Sequence, residues 1–321
     1  MQKMIRPLAT LLCSLLAGSV AAQDSFPTRP VHIVVGFSPG GSADLLARLV
    51  GQRLSETIGQ PVIIDNRPGA GGSIAAAAVA KAPADGYTLF LASTSHTINA
   101  TYYQGLSYDT VASFSGVAPI AVVPYALAVY PGSGIKTLKN VTDAAKANPG
   151  KLNFGSSGNG TATHLAGEIL KKIAQVDIVH VPYRGPAEQL QDVIAGRIQM
   201  TIVPVNAARP FVESGKVAVV GVTTAKRSSV IDAPTFAEAG VNGYEFTPWF
   251  GLIAPAGTPR AVIDKLNAQV GAAIAHPDLR AKLLLQGAEP MTMTPSEFDK
   301  LLRSEVAGFA RIFRDAGIAR Q

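Results

Sequence analysis

Apolar residues along this chain fall in short runs separated by turns, and the runs alternate between two spacings. Val31-His32-Ile33-Val34-Val35 is nearly continuous and rich in β-branched residues, the pattern of a buried strand. After Ser42 the spacing becomes helical, with Leu45, Leu49 and Leu54 on a shared side. Val62–Asp65 predicts a second strand, Ser73–Lys81 an Ala-rich helix and Thr88–Leu91 a third strand. Ile120–Val129 is a β-rich run broken by Pro124, and Leu138–Asn148 a helix stopped by Pro149-Gly150. Leu152–Phe154, Ile178–Val181, Met200–Val203 and Val217–Val222 predict strands, with helices from Thr161 and over Glu188–Ala195. Gly243–Ile253 holds the sole tryptophan, Trp249, and Arg260–Ala275, Asp278–Gln286 and Pro295–Ala316 read as helices. Such alternation predicts an α/β architecture with mainly parallel sheets.

Two of the turns share one design. Between the strand ending at Val35 and the helix opening at Ser42 lies Gly36-Phe37-Ser38-Pro39-Gly40-Gly41, and Ser42-Ala43-Asp44 begin the helix. Between Phe154 and the next helix lies Gly155-Ser156-Ser157-Gly158-Asn159-Gly160, followed by Thr161 and His164. The first N–H groups of a helix have no partner within it and carry partial positive charge, so both turns suit a carboxylate or another anion. Glycine lets a ligand approach the backbone with no Cβ in the way. Two such loops, far apart in sequence, predict two domains that present helix starts to one cleft. Ala92-Ser93-Thr94-Ser95-His96 adds small polar residues at a strand's carboxyl end, where open α/β sheets bind ligands.

Composition narrows the setting. Lys3 and Arg6, the apolar Leu8–Leu16 and Val20-Ala21-Ala22 together predict a secretory signal peptide over Met1–Ala22. Its apolar core is too short for a membrane span, and the chain's one cysteine, Cys13, lies within it. A mature protein without thiols has no disulfide and no cysteine-bound metal. Removing Lys3 and Arg6 takes the formal charge from +6 to +4, a mild attraction for small anions without the basic runs that nucleic acid demands. Roughly 300 mature residues normally make two domains of about 150 each.

In these residues the chain resembles the periplasmic solute-binding proteins of tripartite tricarboxylate transporters, the Bug proteins. The resemblance is carried by Phe37–Asp44 with Ala47-Arg48, Asp65–Gly72, Ala84–Leu89, Gly155–Thr161 with His164-Leu165, and Val181–Gly185, in that order. It implies a two-domain Venus-flytrap fold with two crossover segments and a ligand cleft between the domains. Residues 23–122 and 250–321 would form the first domain and 123–249 the second, with hinges near Ile120–Val129 and Gly243–Ile253. It further implies a cofactor-free, metal-free, monomeric binding protein in the periplasm that passes a carboxylate to a membrane permease. The loops Phe37–Asp44 and Ser156–Thr163 would hold one carboxylate through backbone and hydroxyl groups, partly through ordered water. Many members carry Phe-Asp before a proline where this chain has Ile202-Val203-Pro204; with Val203 in place of the acid, the expected ligand is a di- or aromatic carboxylate rather than an amino acid.

Single residues leave alternatives open. Asp44 is placed to touch ligand or to cap its helix and pair with Arg48 four residues on. His164 is a ligand neighbour or a packing residue. Ser38, Ser42, Ser93, Ser95, Ser156, Ser157 and Thr161 are candidates for hydrogen bonds, and Phe37, Gly40, Gly41, Ala43, Gly158 and Asn159 for the backbone cradle. His96 and Arg184 would add positive charge to the cleft, Arg184 by clamping a second carboxylate or by facing solvent. Trp249 and Phe250 are cleft wall or core. A competing class is a secreted serine hydrolase, because Gly36-Phe37-Ser38-Pro39-Gly40 matches the nucleophile elbow. Pro39 argues against it, since it follows the serine and has no N–H to give an oxyanion hole.

Overall fold

The structure is a computed structural model that describes residues 26–321; the signal peptide expected over residues 1–22, with Cys13, lies outside them. Two sheets organise the chain. The first has the order β11-β4-β10-β3-β1-β2, with β1 at Val31–Val35, β2 at Val62–Asn66, β3 at Thr88–Ser93, β4 at Phe114–Val122, β10 at Trp249–Pro255 and β11 at Glu289–Pro290. The second has the order β7-β6-β8-β5-β9, with β5 at Tyr125–Val129, β6 at Asn153–Ser156, β7 at Val179–Pro182, β8 at Met200–Pro204 and β9 at Ala218–Val222. The chain passes from one sheet to the other between β4 and β5, at Val123-Pro124, and returns between β9 and β10.

The helices are α1 (Ser42–Ile58), α2 (Ser73–Ala80), α3 (Thr94–Tyr102), α4 (Leu138–Ala147), α5 (Ala162–Ala174), α6 (Pro186–Ile194), α7 (Val205–Glu213), α8 (Arg260–Ala275), α9 (Pro277–Leu285) and α10 (Pro295–Ala316). The central strands of the first sheet are apolar on both faces because helices cover both. Val31, Ile33, Val35, Leu89 and Leu91 join the core with α1 and α8, while Val34, Phe90 and Ala92 join a second cluster with α2 and α10. On α1 the buried stripe is Ala43, Leu46, Ala47, Val50 and Leu54 rather than Leu45 and Leu49, which lie half-buried on its flank. Gly51 belongs to that stripe, since a Cβ there would come within 3.1–3.2 Å of Ile64 and Val62.

The sheets are mixed, which corrects the expectation of mainly parallel ones. β1 runs parallel to β2 and β3, and β6 parallel to β7 and β8. β10 runs antiparallel to β3 and β4, and β5 antiparallel to β8 and β9. Each antiparallel insertion is a strand beside a sheet-to-sheet crossing, β5 at the outward passage and β10 at the return. Helix α10 caps the arrangement: its Phe298 and Leu302 pack with the first sheet, its Phe309 and Phe313 with the core of the second.

Candidate functional site

A cavity of about 330 Å³ opens between the two sheets. From the first-sheet side it is lined by Phe37–Ala43, Ser93, Ser95 and Phe250, and from the second-sheet side by Tyr125, Ser157, Thr161–Thr163, Arg184–Glu188 and Pro204. These loops follow the carboxyl ends of β1, β3, β6, β7 and β8, and each leads at once into a helix. The starts of α1, α3, α5, α6 and α7 therefore face one space. Their combined dipoles favour negative charge there.

The α1 end is built by hydrogen bonds that hold Asp44 away from the cavity. Gly40 N–H donates to Asp44 Oδ2 at 3.0 Å, and Arg48 pairs with the same carboxylate at 2.9 Å. Arg48 continues to Asn66 Oδ1 at 3.2 Å, and Asn66 Nδ2 reaches Phe37 O at 3.1 Å. Burial works against the Asp44 charge, but the hydrogen bonds from Arg48 and Gly40 outweigh it and hold the carboxyl below the usual range. Asp44 is thus a structural cap. Gly40 supplies the left-handed turn (φ +82°), while Gly41, at φ −82°, has space where a Cβ would point. Among the described residues the amides of Ser42 and Ala43 meet no acceptor. The Ser42 hydroxyl donates across the cleft to Asn206 Oδ1 at 2.7 Å.

The second loop is wound on itself. Ser157 N–H donates to Thr163 Oγ1 (3.0 Å), Gly158 N–H to Ser156 Oγ (3.1 Å), Gly160 N–H to His164 Nδ1 (3.4 Å) and Thr161 N–H to Gly158 O (3.3 Å). The amides expected to meet a carboxylate over Ser157–Thr161 are therefore mostly occupied within the loop. Ala162 N–H, the next one along, donates to Ser95 Oγ at 3.0 Å, which leaves the Ser95 hydroxyl proton free to face the cavity. Of the first α5 amides, Thr163 is left open among the described residues. The Thr161 hydroxyl is committed to Gly158 O at 2.6 Å, whereas the Ser157 hydroxyl accepts from Gln189 Nε2 at 2.9 Å and keeps its own proton. The resulting donor set is the amides of Ser42, Ala43 and Thr163 with the hydroxyls of Ser38, Ser93, Ser95 and Ser157.

Several expected site residues lie elsewhere, each for a structural reason. Along a strand successive side chains point to opposite faces. Val203 is fully buried in the core that Leu190, Val193 and Ala208 share, and Pro204 faces the cavity in its place. Trp249 likewise points into the core, edge-on to Phe298 at 5.2 Å with its Nε1 donating to Glu305 Oε1 at 2.8 Å, and Phe250 is the wall. Ser156 is buried beneath its loop, its Oγ 2.6 Å from His180 Nε2. His164 stacks on His180 with centroids 4.0 Å apart. Burial, with each other's proximity and Lys171, lowers His164 to about 3, and burial with Lys171 lowers His180 to about 4, so both rings are neutral supports of the loop. His96 is buried outside the cavity, 2.9 Å from Thr110 O, and burial lowers it to about 4. Gly158 and Asn159 line a neighbouring cavity of about 620 Å³ beyond Phe37 and Arg184.

The structure adds three features that the chain's pattern did not single out. Asn206 bonds Ser42. Glu188 lines the cavity as an acid, and its Oε2 accepts the Arg184 N–H at 3.2 Å. Helix α3 carries Ser95 and Asn99, with Tyr103 just past its end, at a spacing of four that sets them on one face. That face grips the second loop: Ser95 receives Ala162 N–H, Tyr103 OH donates to Asn159 O at 3.1 Å, and a Cβ on Gly160 would come within 2.8–2.9 Å of Tyr102, Asn99 and Tyr103.

Among the described residues no group of three or more His, Cys, Asp or Glu could hold a metal ion, and no helix is long and apolar enough to cross a membrane. Ser38 has no histidine partner among them, and the one serine–histidine contact, Ser156–His180, is buried away from the cavity.

Comparison with known proteins yields a consistent set. The family described as tripartite tricarboxylate transporter family receptor matches residues 46–318. A protein of Pseudomonas sp. (strain P51), the UPF0065 protein in the tcbD-tcbE intergenic region, is 39% identical over 96% of this chain and 93% of its own. The structure of R. palustris Rpa4515 with adipate superposes with a TM-score of 0.87 at 40% identity, covering 92% of this chain and all of that one (100%). That of periplasmic binding protein BugD gives 0.86 at 30% identity, covering 92% and 100%.

Proposed function

Because the chain belongs to the tripartite tricarboxylate transporter receptor family, we propose that it captures a small organic carboxylate between its sheets and delivers it to the permease of such a transporter. The periplasm is the setting in which family members such as BugD act, and a cleaved leader at Met1–Ala22 would bring this chain there. A family of solute receptors leaves no place for the hydrolase reading. We assign residues 23–122 and 250–321 to one domain and 123–249 to the other.

The observation that carries this reading is the concentration of open amides and hydroxyls at the starts of α1 and α5, at the head of a cavity walled by Phe37, Pro39, Tyr125, Pro204 and Phe250. One carboxylate accepts from the amides, and an apolar chain or ring fills the remainder. The relative of known structure that holds adipate fits such a ligand. A thermal-shift screen of carboxylic acids against their primary amides tests it. An acid at a hundred times its dissociation constant adds about 2.7 kcal/mol of stability, and the amides give no shift. The Gly41→Val variant, whose Cβ meets nothing closer than Ser38 O at 3.7 Å, keeps the fold and loses at least tenfold in affinity, about 1.4 kcal/mol. Equal shifts from acids and amides, or full affinity in Gly41→Val, contradict the site.

A further inference from the structure

Side-chain charge reaches this cavity at one end only. Its lining holds two charged side chains, Arg184 and Glu188, both exposed and both supplied by the approach to α6 and its first turn. The α1–α5 end offers amides and hydroxyls, with Asp44 turned into Gly40 and Arg48. A bound acid therefore meets neutral donors at its head and two opposite charges along its far part.

Arg184 and Glu188 form no side-chain ion pair with each other. Their contact runs through the Arg184 backbone, whose N–H donates to Glu188 Oε2 at 3.2 Å. This bond fixes the carboxylate in the first turn of α6, beside the cavity, with its other oxygen uncommitted. Among the described residues neither side chain has an ion-pair partner. The guanidinium attracts a second ligand carboxylate at this end of the cavity, and the Glu188 carboxylate repels it.

We propose that Glu188 is a specificity-determining residue of the cleft. It lowers the affinity for diacids relative to acids of equal length whose far end donates a hydrogen bond, in opposition to Arg184. This rests on the reading of the cavity as a carboxylate site. Val203 cannot play this part, because it is buried in the core and does not face the cavity.

Titration calorimetry at one pH with adipate, hexanoate and 6-hydroxyhexanoate tests it on the full chain, Glu188→Gln and Arg184→Gln. The glutamine at position 188 keeps an oxygen for the Arg184 N–H, so α6 retains its cap. Glu188→Gln tightens adipate at least fivefold, leaves hexanoate within twofold and weakens 6-hydroxyhexanoate, so that the ratio of adipate to hydroxyacid affinity changes at least tenfold. Arg184→Gln moves adipate the opposite way, again with hexanoate within twofold. Adipate unchanged in Glu188→Gln, or all three acids shifting together, overturns the role of Glu188 while binding itself upholds the carboxylate site. If none of the three acids binds any of the three proteins, the carboxylate reading fails and this proposal with it.

Discussion

Glu305 of α10 holds its carboxyl between the Thr97 hydroxyl and the Trp249 indole, each 2.8 Å away. Burial pushes it up to about 7 in spite of both hydrogen bonds. A folded chain that holds this proton more tightly than the unfolded one is stabilised below about pH 4.5, and that contribution is lost as the pH rises through 7. The amount is about 3 kcal/mol. Glu305→Gln therefore unfolds at a higher denaturant concentration than the parent at pH 8 and shows no such decline between pH 5 and 8. Unchanged pH dependence in the variant would sink this assignment. His164 and His180 act with the opposite sign: their stability is present above about 6.5 and is lost as the pH falls through 4 and 3. Residue-level direction was the least legible part of the sequence. Val203 and Trp249 sit in strands buried on both faces, so hydrophobic spacing could not tell which alternate residue meets the cavity; Pro204 and Phe250 do.

At the scale of elements, the strand–turn–helix units around Gly40 and Gly158 were legible because Gly-rich turns interrupt clear periodicity. Helix α3 was not. Its sequence, Thr94-Ser95-His96-Thr97-Ile98-Asn99-Ala100-Thr101-Tyr102, is poor in strong helix formers, and packing against α10 and α5 overrides the propensity. Helix α7 was hidden in the same way by Pro210 in its interior. Yet α3 is the element that fastens the second glycine-rich loop to the first sheet. Tyr103→Phe removes one O–H donor from Asn159 O at the edge of that contact, a loss of about 1 kcal/mol. Hydrogen exchange should speed up at Asn159–Ala162 and hardly elsewhere, with roughly fivefold weaker acid binding. Protection of those amides equal to the parent's would mean that α3 does not hold the loop.

For the whole molecule, two crossings invite rigid-body closure, with the second-sheet residues Asn206 and Arg184–Glu188 moving relative to α1. Small-angle scattering with a saturating, thermally stabilising acid should show a smaller radius of gyration than without it. No compaction would count against closure. The α/β class and the boundaries of α8 and α10 followed from periodicity, whereas the mixed sheets did not. A strand's own sequence carries little record of its neighbour's direction, and β5 and β10 owe theirs to the crossings.

Helix α10 gives this arrangement a thermodynamic character of its own. It is 22 residues long, about 33 Å at the usual rise, and its two halves are buried in different cores: Phe298 and Leu302 in one, Phe309 and Phe313 in the other. Melting either sheet strips half of that helix from its seat and uncovers aromatic surface in the other. The two sheets can tilt against one another, but neither can unfold privately. Cooperativity thus spans the cleft by a route that avoids the two glycine-rich loops altogether, and anything that binds between the sheets should stabilise the entire chain.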